Sequence, residues 1–179
     1  MREYQLYGTG GHARVVAELA TMNEWTLCAA FSDNAEGTFN GVKITPYETG
    51  TLPLIIAIGH NATRKEIAER VHPVAIVFVH QAAVCSPSLV PGAGTVILAG
   101  AIVQANVKIG KQCILNIGSK VDHDAVIGDF VHLGPGCYIG GGATVGEGAL
   151  IGPGAVVMRN VHVPAWTEVL PNTIFEKAP

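Results

Sequence analysis

The chain has 179 residues, a formal net charge of −3, and 14% charged against 49% hydrophobic residues. It has room for one large or two small domains with ample apolar material for a core. There is no basic run to suggest a nucleic-acid surface, no apolar stretch long enough to span a bilayer, and no apolar signal-peptide core in MREYQLYGTGG.

The first part, residues 1–80, reads as a small α/β unit, a Rossmann-like βαβ sheet. Tyr4–Tyr7 is predicted as a strand, Gly8-Thr-Gly-Gly-His12 as a turn, and Ala13–Met22 as a helix. Trp25–Phe31 is a second strand ending in Ser32-Asp33-Asn34. Leu54–Ile58 is a third, followed by Gly59-His-Asn and a charged helix over Arg64–Val71, with Val74–Val79 as the last strand. Alternating strands and helices imply a parallel sheet with ligand sites at the carboxyl ends of its strands.

The second part, residues 81–179, carries a different rhythm. From Ile97 an aliphatic residue recurs at every sixth position through Val103, Ile109, Leu115, Val121, Ile127, Leu133, Ile139, Val145, Ile151, Val157 and Val163 to Val169. Four residues after each, up to Thr167, stands a small or β-branched residue such as Ala101, Cys113, Ser119 or Cys137. A period of six fits neither an amphipathic helix nor an alternating strand. It marks a parallel β-helix of hexapeptide repeats, three hexads to a turn. Residues 81–96, where Cys85 and Pro91 occupy the aliphatic slot, are expected to form irregular early coils. Val163–Pro179 is expected to form a closing coil and a tail over the open end. So little charge on a solenoid implies a flank covered by further copies of the chain. Cys28, Cys85, Cys113 and Cys137 form no CxxC pair and read as reduced thiols of a cytoplasmic protein.

Gly8-Thr-Gly-Gly-His-Ala13 matches G-x-G-x-x-A between strand and helix, with Asp33 at the end of the second strand. Such glycines let a backbone approach a phosphate, which the helix N-terminus favours. The sheet is too small for a full dinucleotide fold, so a mononucleotide or nucleotide-sugar fits better than a nicotinamide cofactor; a tight turn that binds nothing is the alternative. Asp122-His-Asp124 stands where neighbouring hexads carry glycine or neutral residues. A histidine there suits general-base work, with a carboxylate holding its tautomer, and a solvated polar corner is the equal alternative. His132 stands nine residues after His123, half a turn, so the two imidazoles are expected on opposite sides of one prism. If prisms pack side by side around a threefold axis, His123 of one subunit can face His132 of the next. Asn116 can hydrogen-bond a substrate or serve structure alone.

YGTGGHARVV, FSDN, AIGHNATRKEI and KVDHDAVIGDFVHLGPG together resemble the bacterial sugar O- and N-acyltransferases of the sialic acid O-acetyltransferase type. Characterised relatives acetylate the amine of a UDP-linked 4-amino-4,6-dideoxy sugar with acetyl-CoA. The resemblance spans nearly the whole chain. It implies an α/β nucleotide-sugar domain followed by a left-handed β-helix, a homotrimer with sites between subunits, acetyl-CoA as co-substrate and no metal. It makes His123 the general base and Asp124 its acid, where amino-sugar relatives carry Glu. It puts Asn116 near the acceptor sugar, His132 at acetyl-CoA, and Gly10, Gly11 and His12 at the nucleotide phosphates. Asp33, Asn34 and Gly59 match further nucleotide contacts. Gly141 is expected near the oxyanion. Pro153 and Pro171 stand where relatives have other residues near the coenzyme, and the common closing G-x-P-A-[KR] segment is absent. O-acetylation of sialic acid, a γ-carbonic-anhydrase-like metalloenzyme and a non-catalytic binding protein are the rival readings.

Overall fold

The computed structural model describes residues 2–71 and 76–176. The α/β unit contains β1 (Arg2–Tyr7), α1 (Gly11–Met22), β2 (Trp25–Phe31), β3 (Thr38–Phe39), β4 (Val42–Thr45), β5 (Leu54–Ile56) and α2 (Asn61–Val71). Its sheet runs β3-β4-β2-β1-β5, with β1 parallel to both β2 and β5. The chain leaves β1 toward β2 on one side and β5 on the other. The gap between the carboxyl ends of β1 and β5 is therefore a topological switch point, where sheets of this type bind ligands.

The sequence reading missed the β3–β4 hairpin. Its signal was Phe39-Asn-Gly-Val42, and both turn residues have positive φ, 48° at Asn40 and 81° at Gly41, as a tight Asn-Gly hairpin turn requires.

The last strand differs from expectation. Residues 74 and 75 of the expected Val74–Val79 strand lie outside the described residues. The short strand β6 (Phe78–Val79) pairs with Val96–Ile97 of the solenoid rather than with the α/β sheet.

The rest of the chain is a left-handed β-helix whose strands pair in parallel at a spacing of 18 residues, as Ile109 with Ile127 and Val121 with Ile139. Two faces carry six strands each and the third carries four. The aliphatic series points inward throughout and forms one continuous core with Ala101, Cys113, Ala125, Cys137, Ala143, Ala149 and Ala155. The coils expected to be irregular are regular on two faces: Val84–Cys85 pairs with Ile102–Val103. The inward slot needs only a small apolar group, and Cys85 fills it. Among the described residues only the third face lacks a strand there, at Val90–Pro91, although the Gly92 N–H still donates to the Ile109 carbonyl at 2.9 Å. The C-terminal coil is likewise regular, with Ile174–Phe175 paired to Val156–Val157; residues 177–179 of the expected tail lie outside the described residues.

The α/β unit packs on the first solenoid face. Phe78, Val96 and Ile114 point outward from that face and are buried against Tyr4, Leu6 and the apolar side of α1. Phe78 meets Tyr4 and Trp25 edge-to-face, at 5.7 and 5.9 Å between ring centroids. Burying these aromatic rings fixes the orientation of the nucleotide-type turn over the solenoid. No helix among the described residues is long and apolar enough to cross a membrane.

Candidate active site

The first cluster lies on the solenoid edge between the second and third faces. The chain turns there through residues in the left-handed region, among them Asn106 (φ 61°), Asp124 (φ 60°) and Asn160 (φ 58°). Asx side chains tolerate this conformation better than other non-glycine residues. Asp124 thus takes the turn position while its carboxylate reaches back to the preceding histidine. His123 Nδ1 and Asp124 Oδ2 are 2.7 Å apart, and Asn106 Nδ2 donates to Asp124 Oδ1 at 3.1 Å. Asp122 accepts from the His123 backbone N–H at 2.8 Å and from the Tyr138 hydroxyl at 2.9 Å.

These contacts orient the ring. With Nδ1–H donated to Asp124, Nε2 is the free basic nitrogen. The hydrogen bond to Asp124, then the charge of Asp122, raises the His123 pKa above its ordinary 6.5, and bonding to His123 holds Asp124 below the usual carboxylate range. Gly141 lies beneath the ring: a Cβ built there would stand 3.0 Å from both His123 Cε1 and Nε2. Among the described residues the Gly141 N–H donates to no group. A backbone N–H without a protein acceptor, on a residue against the ring, is what an oxyanion site needs. Gly141→Ala should keep the fold, push the imidazole aside and lower kcat/KM about ten- to a hundredfold. Steady-state kinetics together with thermal unfolding check this.

The second cluster is where the nucleotide-type turn meets the first face. Gly8 has φ 111°, and a Cβ there would come within 2.9 Å of the Ala57 carbonyl, so this position accepts only glycine. Gly10 and Gly11 have open space where a side chain would be, at the start of α1, whose first turn carries no acid. Gly59, after β5, comes up beside His12. His132 bridges to this loop: Nδ1 is 3.3 Å from the Gly59 carbonyl and Nε2 is 3.1 Å from Asn116 Nδ2. The pattern requires Nδ1–H as donor and Nε2 as acceptor, a neutral imidazole. Burial, then the charge of Arg64, lowers the His132 pKa to about 4. Burial, with His132 and Arg64, takes His12 to about 4 as well. Both rings are neutral near pH 7.

The third cluster closes the carboxyl end of β2. Asp33 accepts from the Tyr7 hydroxyl and from Arg70 Nη2, the latter at 2.7 Å. Asn34 is exposed beside it.

The structure thus brings together His123, Asp124 and Gly141, and separately His12, Gly59, Asn116 and His132. As the half-turn spacing implied, His132 leaves the first face and His123 the opposite edge. Pro153 and Pro171 stack on another edge, between the first and second faces, where the Asn172 N–H donates to the Pro153 carbonyl at 2.9 Å. His162 lies on the third face, so His123, His132 and His162 point from different sides of one chain. Among the described residues no cluster of three or more His, Cys, Asp or Glu is placed to hold a metal. Cys113 and Cys137 are buried thiols whose pKa burial raises to about 12. Sequence reasoning missed Tyr7, Asn61, Arg64, Arg70, Asn106 and Tyr138. Tyr7, Asn61 and Arg64 lie within YGTGGHARVV and AIGHNATRKEI, and Arg70, Asn106 and Tyr138 lie outside the quoted segments; tertiary packing gives all six their contacts.

A nucleotide-type turn docked on a left-handed β-helix, with an exposed His–Asp pair on a coil edge, defines a two-unit hexapeptide-repeat architecture. Residues 5–71 match the PglD N-terminal domain, and residues 124–159 match the bacterial transferase hexapeptide of six repeats. Over 99% of its length the chain superposes on a histidine-to-asparagine variant of perosamine N-acetyltransferase from Caulobacter crescentus in complex with CoA and GDP-perosamine. The TM-score is 0.91, with 30% identity and 90% of that protein covered. The acetyltransferase domain of PglB from Neisseria gonorrhoeae FA1090, in complex with acetyl coenzyme A, matches 96% of the chain with a TM-score of 0.74 and 27% identity, over 97% of that chain. UDP-N-acetylbacillosamine N-acetyltransferase of Bacillus subtilis (strain 168) is 38% identical over 115 residues, 55% of this chain; the match spans about half, 52%, of that curated relative. The chain belongs to the bacterial sugar acyltransferases that join a PglD-type N-terminal domain to a hexapeptide-repeat β-helix.

Proposed function

We propose that the protein transfers an acetyl group from acetyl-CoA to the amine of a nucleotide-linked amino sugar, in surface-glycan or glycoprotein sugar synthesis in the cytoplasm. The observation that carries this reading is the His123–Asp124 pair, oriented with Nε2 free over Gly141. A neutral amine attacks the thioester carbonyl, forming the C–N bond while Nε2 of His123 takes the amine proton. The Gly141 N–H meets the oxyanion. The tetrahedral intermediate collapses with cleavage of the C–S bond, and the CoA thiolate leaves and is protonated. Transfer is direct; the buried thiols of Cys113 and Cys137 are fully protonated near pH 7 and form no acyl-enzyme.

Residues 1–80 act as the nucleotide-sugar unit and 81–179 as the transfer unit. The open backbone at Gly10 and Gly11, with His12 and Gly59, takes the diphosphate; Asp33 and Asn34 face the nucleoside; Asn116 faces the sugar. His132, Pro153 and Pro171 are assigned to the coenzyme side. UDP is the expected nucleotide. GDP is the second reading, because a GDP-sugar is bound by the similar perosamine enzyme.

The active assembly is a homotrimer. Its support is the second solenoid face, which turns Val84, Ile102, Tyr138, Val156 and Ile174 outward with Lys120 as its single charge. Around a threefold axis this arrangement brings His123 of one subunit near the first-face cluster of the next.

The test is incubation of the purified protein with acetyl-CoA and a panel of UDP- and GDP-linked 4-amino sugars. Thiol release and the mass of the sugar product are followed. Release with a sugar gaining one acetyl group at its amine supports the proposal. Product acetylated only at a hydroxyl favours the O-acetylation alternative, and no product with any panel member rejects the reading.

A further inference from the structure

Arg64, on α2, is 1% exposed, yet among the described residues none of its partners is a carboxylate. Its guanidinium makes five hydrogen bonds in three directions. Nη1 donates to the Ile58 and Gly59 carbonyls at 2.8 and 3.1 Å, within the loop after β5. Nη2 donates to Asn61 Oδ1 at 2.8 Å, at the start of α2. Nε and Nη2 donate to the Gln112 and Phe130 carbonyls at 2.8 and 2.9 Å, on two stacked coils of the solenoid. Asn61 extends the connection, donating from Nδ2 to the Gly148 and Ala149 carbonyls one coil further on, at 3.0 and 3.1 Å.

An unpaired cation is costly to bury, and apolar contact would join two units at less cost. A lysine could not replace it, because only a planar fork reaches five acceptors at once. The Gly59 carbonyl it holds also accepts from His132, and Gly59 stands against His12. One side chain therefore fixes the loop beneath the nucleotide-type turn to the coils that carry Asn116 and His132.

We infer that Arg64 is a positioning residue for the acceptor: it locks the nucleotide-binding loop to the solenoid and so sets where the bound nucleotide-sugar stands relative to the transfer site. This rests on the reading of the α/β unit as the nucleotide-sugar site. Dipoles surround the Arg64 charge without neutralising it, and the charge is felt at His12 and His132. A diphosphate over Gly10 and Gly11 would find that charge already in place.

The experiment compares full-length wild type with Arg64→Lys and Arg64→Gln. It measures KM for the nucleotide-sugar and for acetyl-CoA, and imidazole titrations by NMR. Arg64→Lys keeps the charge and loses the fork. It should fold, raise the nucleotide-sugar KM about tenfold and leave the acetyl-CoA KM within about twofold. In Arg64→Gln the His132 pKa should rise toward the ordinary value, whereas in Arg64→Lys it stays low. If Arg64→Gln does not fold, the KM split in Arg64→Lys decides. Equal changes in both KM values, or a lower melting temperature with unchanged nucleotide-sugar kinetics, would overturn the inference and leave Arg64 as packing alone. A wild type that binds no nucleotide-sugar instead overturns the reading of the α/β unit, and this inference with it.

Discussion

Replacing His123 by alanine should lower kcat by about two to four orders of magnitude and leave the melting temperature unchanged. The asymmetry comes from where the ring stands. His123 is exposed on a solenoid edge, and among the described residues its side chain bonds only to Asp124, itself exposed. The core beneath is formed by Val121 and Ala125 and does not need the imidazole. In the proposed mechanism, what is lost is the base that removes the amine proton as the C–N bond forms. Binding of both substrates should survive, so KM values move little. Steady-state rates with varied amino sugar and acetyl-CoA, with thermal unfolding on the same preparation, measure it. Near wild-type turnover would remove His123 from the role.

Replacing Asp124 by asparagine should lower kcat/KM about ten- to a hundredfold and move the acid limb of the pH profile to lower pH. Only the neutral imidazole accepts a proton, so activity rises with pH as His123 deprotonates. In the wild type that rise is centred above 6.5, because the Asp124 carboxylate stabilises the imidazolium, assisted by Asp122. Asp124 itself is held below the usual carboxylate range and stays ionised across the rise. Removing its charge lowers the imidazole pKa. The limb therefore shifts down, and the weaker base gives a lower plateau. Asparagine is suited to this test because it tolerates the φ of 60° that Asp124 adopts. A pH profile of kcat/KM from acid to neutral checks both parts. An unmoved limb would mean that Asp124 only completes the turn.

Much of this is legible in the chain. The six-residue period needs no tertiary information to imply a β-helix: each coil buries one aliphatic residue per face, and stacked coils must repeat that choice. The same holds for Gly8-Thr-Gly-Gly-His12, where a strand, glycines and a helix start stand within a few residues of one another. His123 and Asp124 are visible as polar departures from a strict repeat, and their contact is between neighbours in sequence. The differences between expectation and structure are local and have local causes. Cys85 satisfies an inward slot that an aliphatic rule denies it, and the strands flanking Asn40-Gly41 are too short to show a strand pattern.

The contacts of the remaining site residues are not legible, because they form only when coils stack and the two units pack. Arg64 is one cation among several in the charged segment Arg64–Arg70. Burial against two solenoid coils singles it out, since a buried guanidinium must satisfy all its donors. Tyr138 and Asn106 gain their contacts with Asp122 and Asp124 through neighbouring coils, 16 and 18 residues away. His132 is legible as a polar residue on the prism. Its neutral state, however, is decided by burial and then by the charge of Arg64, while the Gly59 carbonyl fixes which ring nitrogen carries the proton. The two units and the His–Asp pair are readable in the residues alone, because periodicity and nearest-neighbour contacts are properties of the chain. How the loop after β5 is bolted to the solenoid is settled by packing, because it depends on which buried donors and acceptors find each other when the two surfaces close.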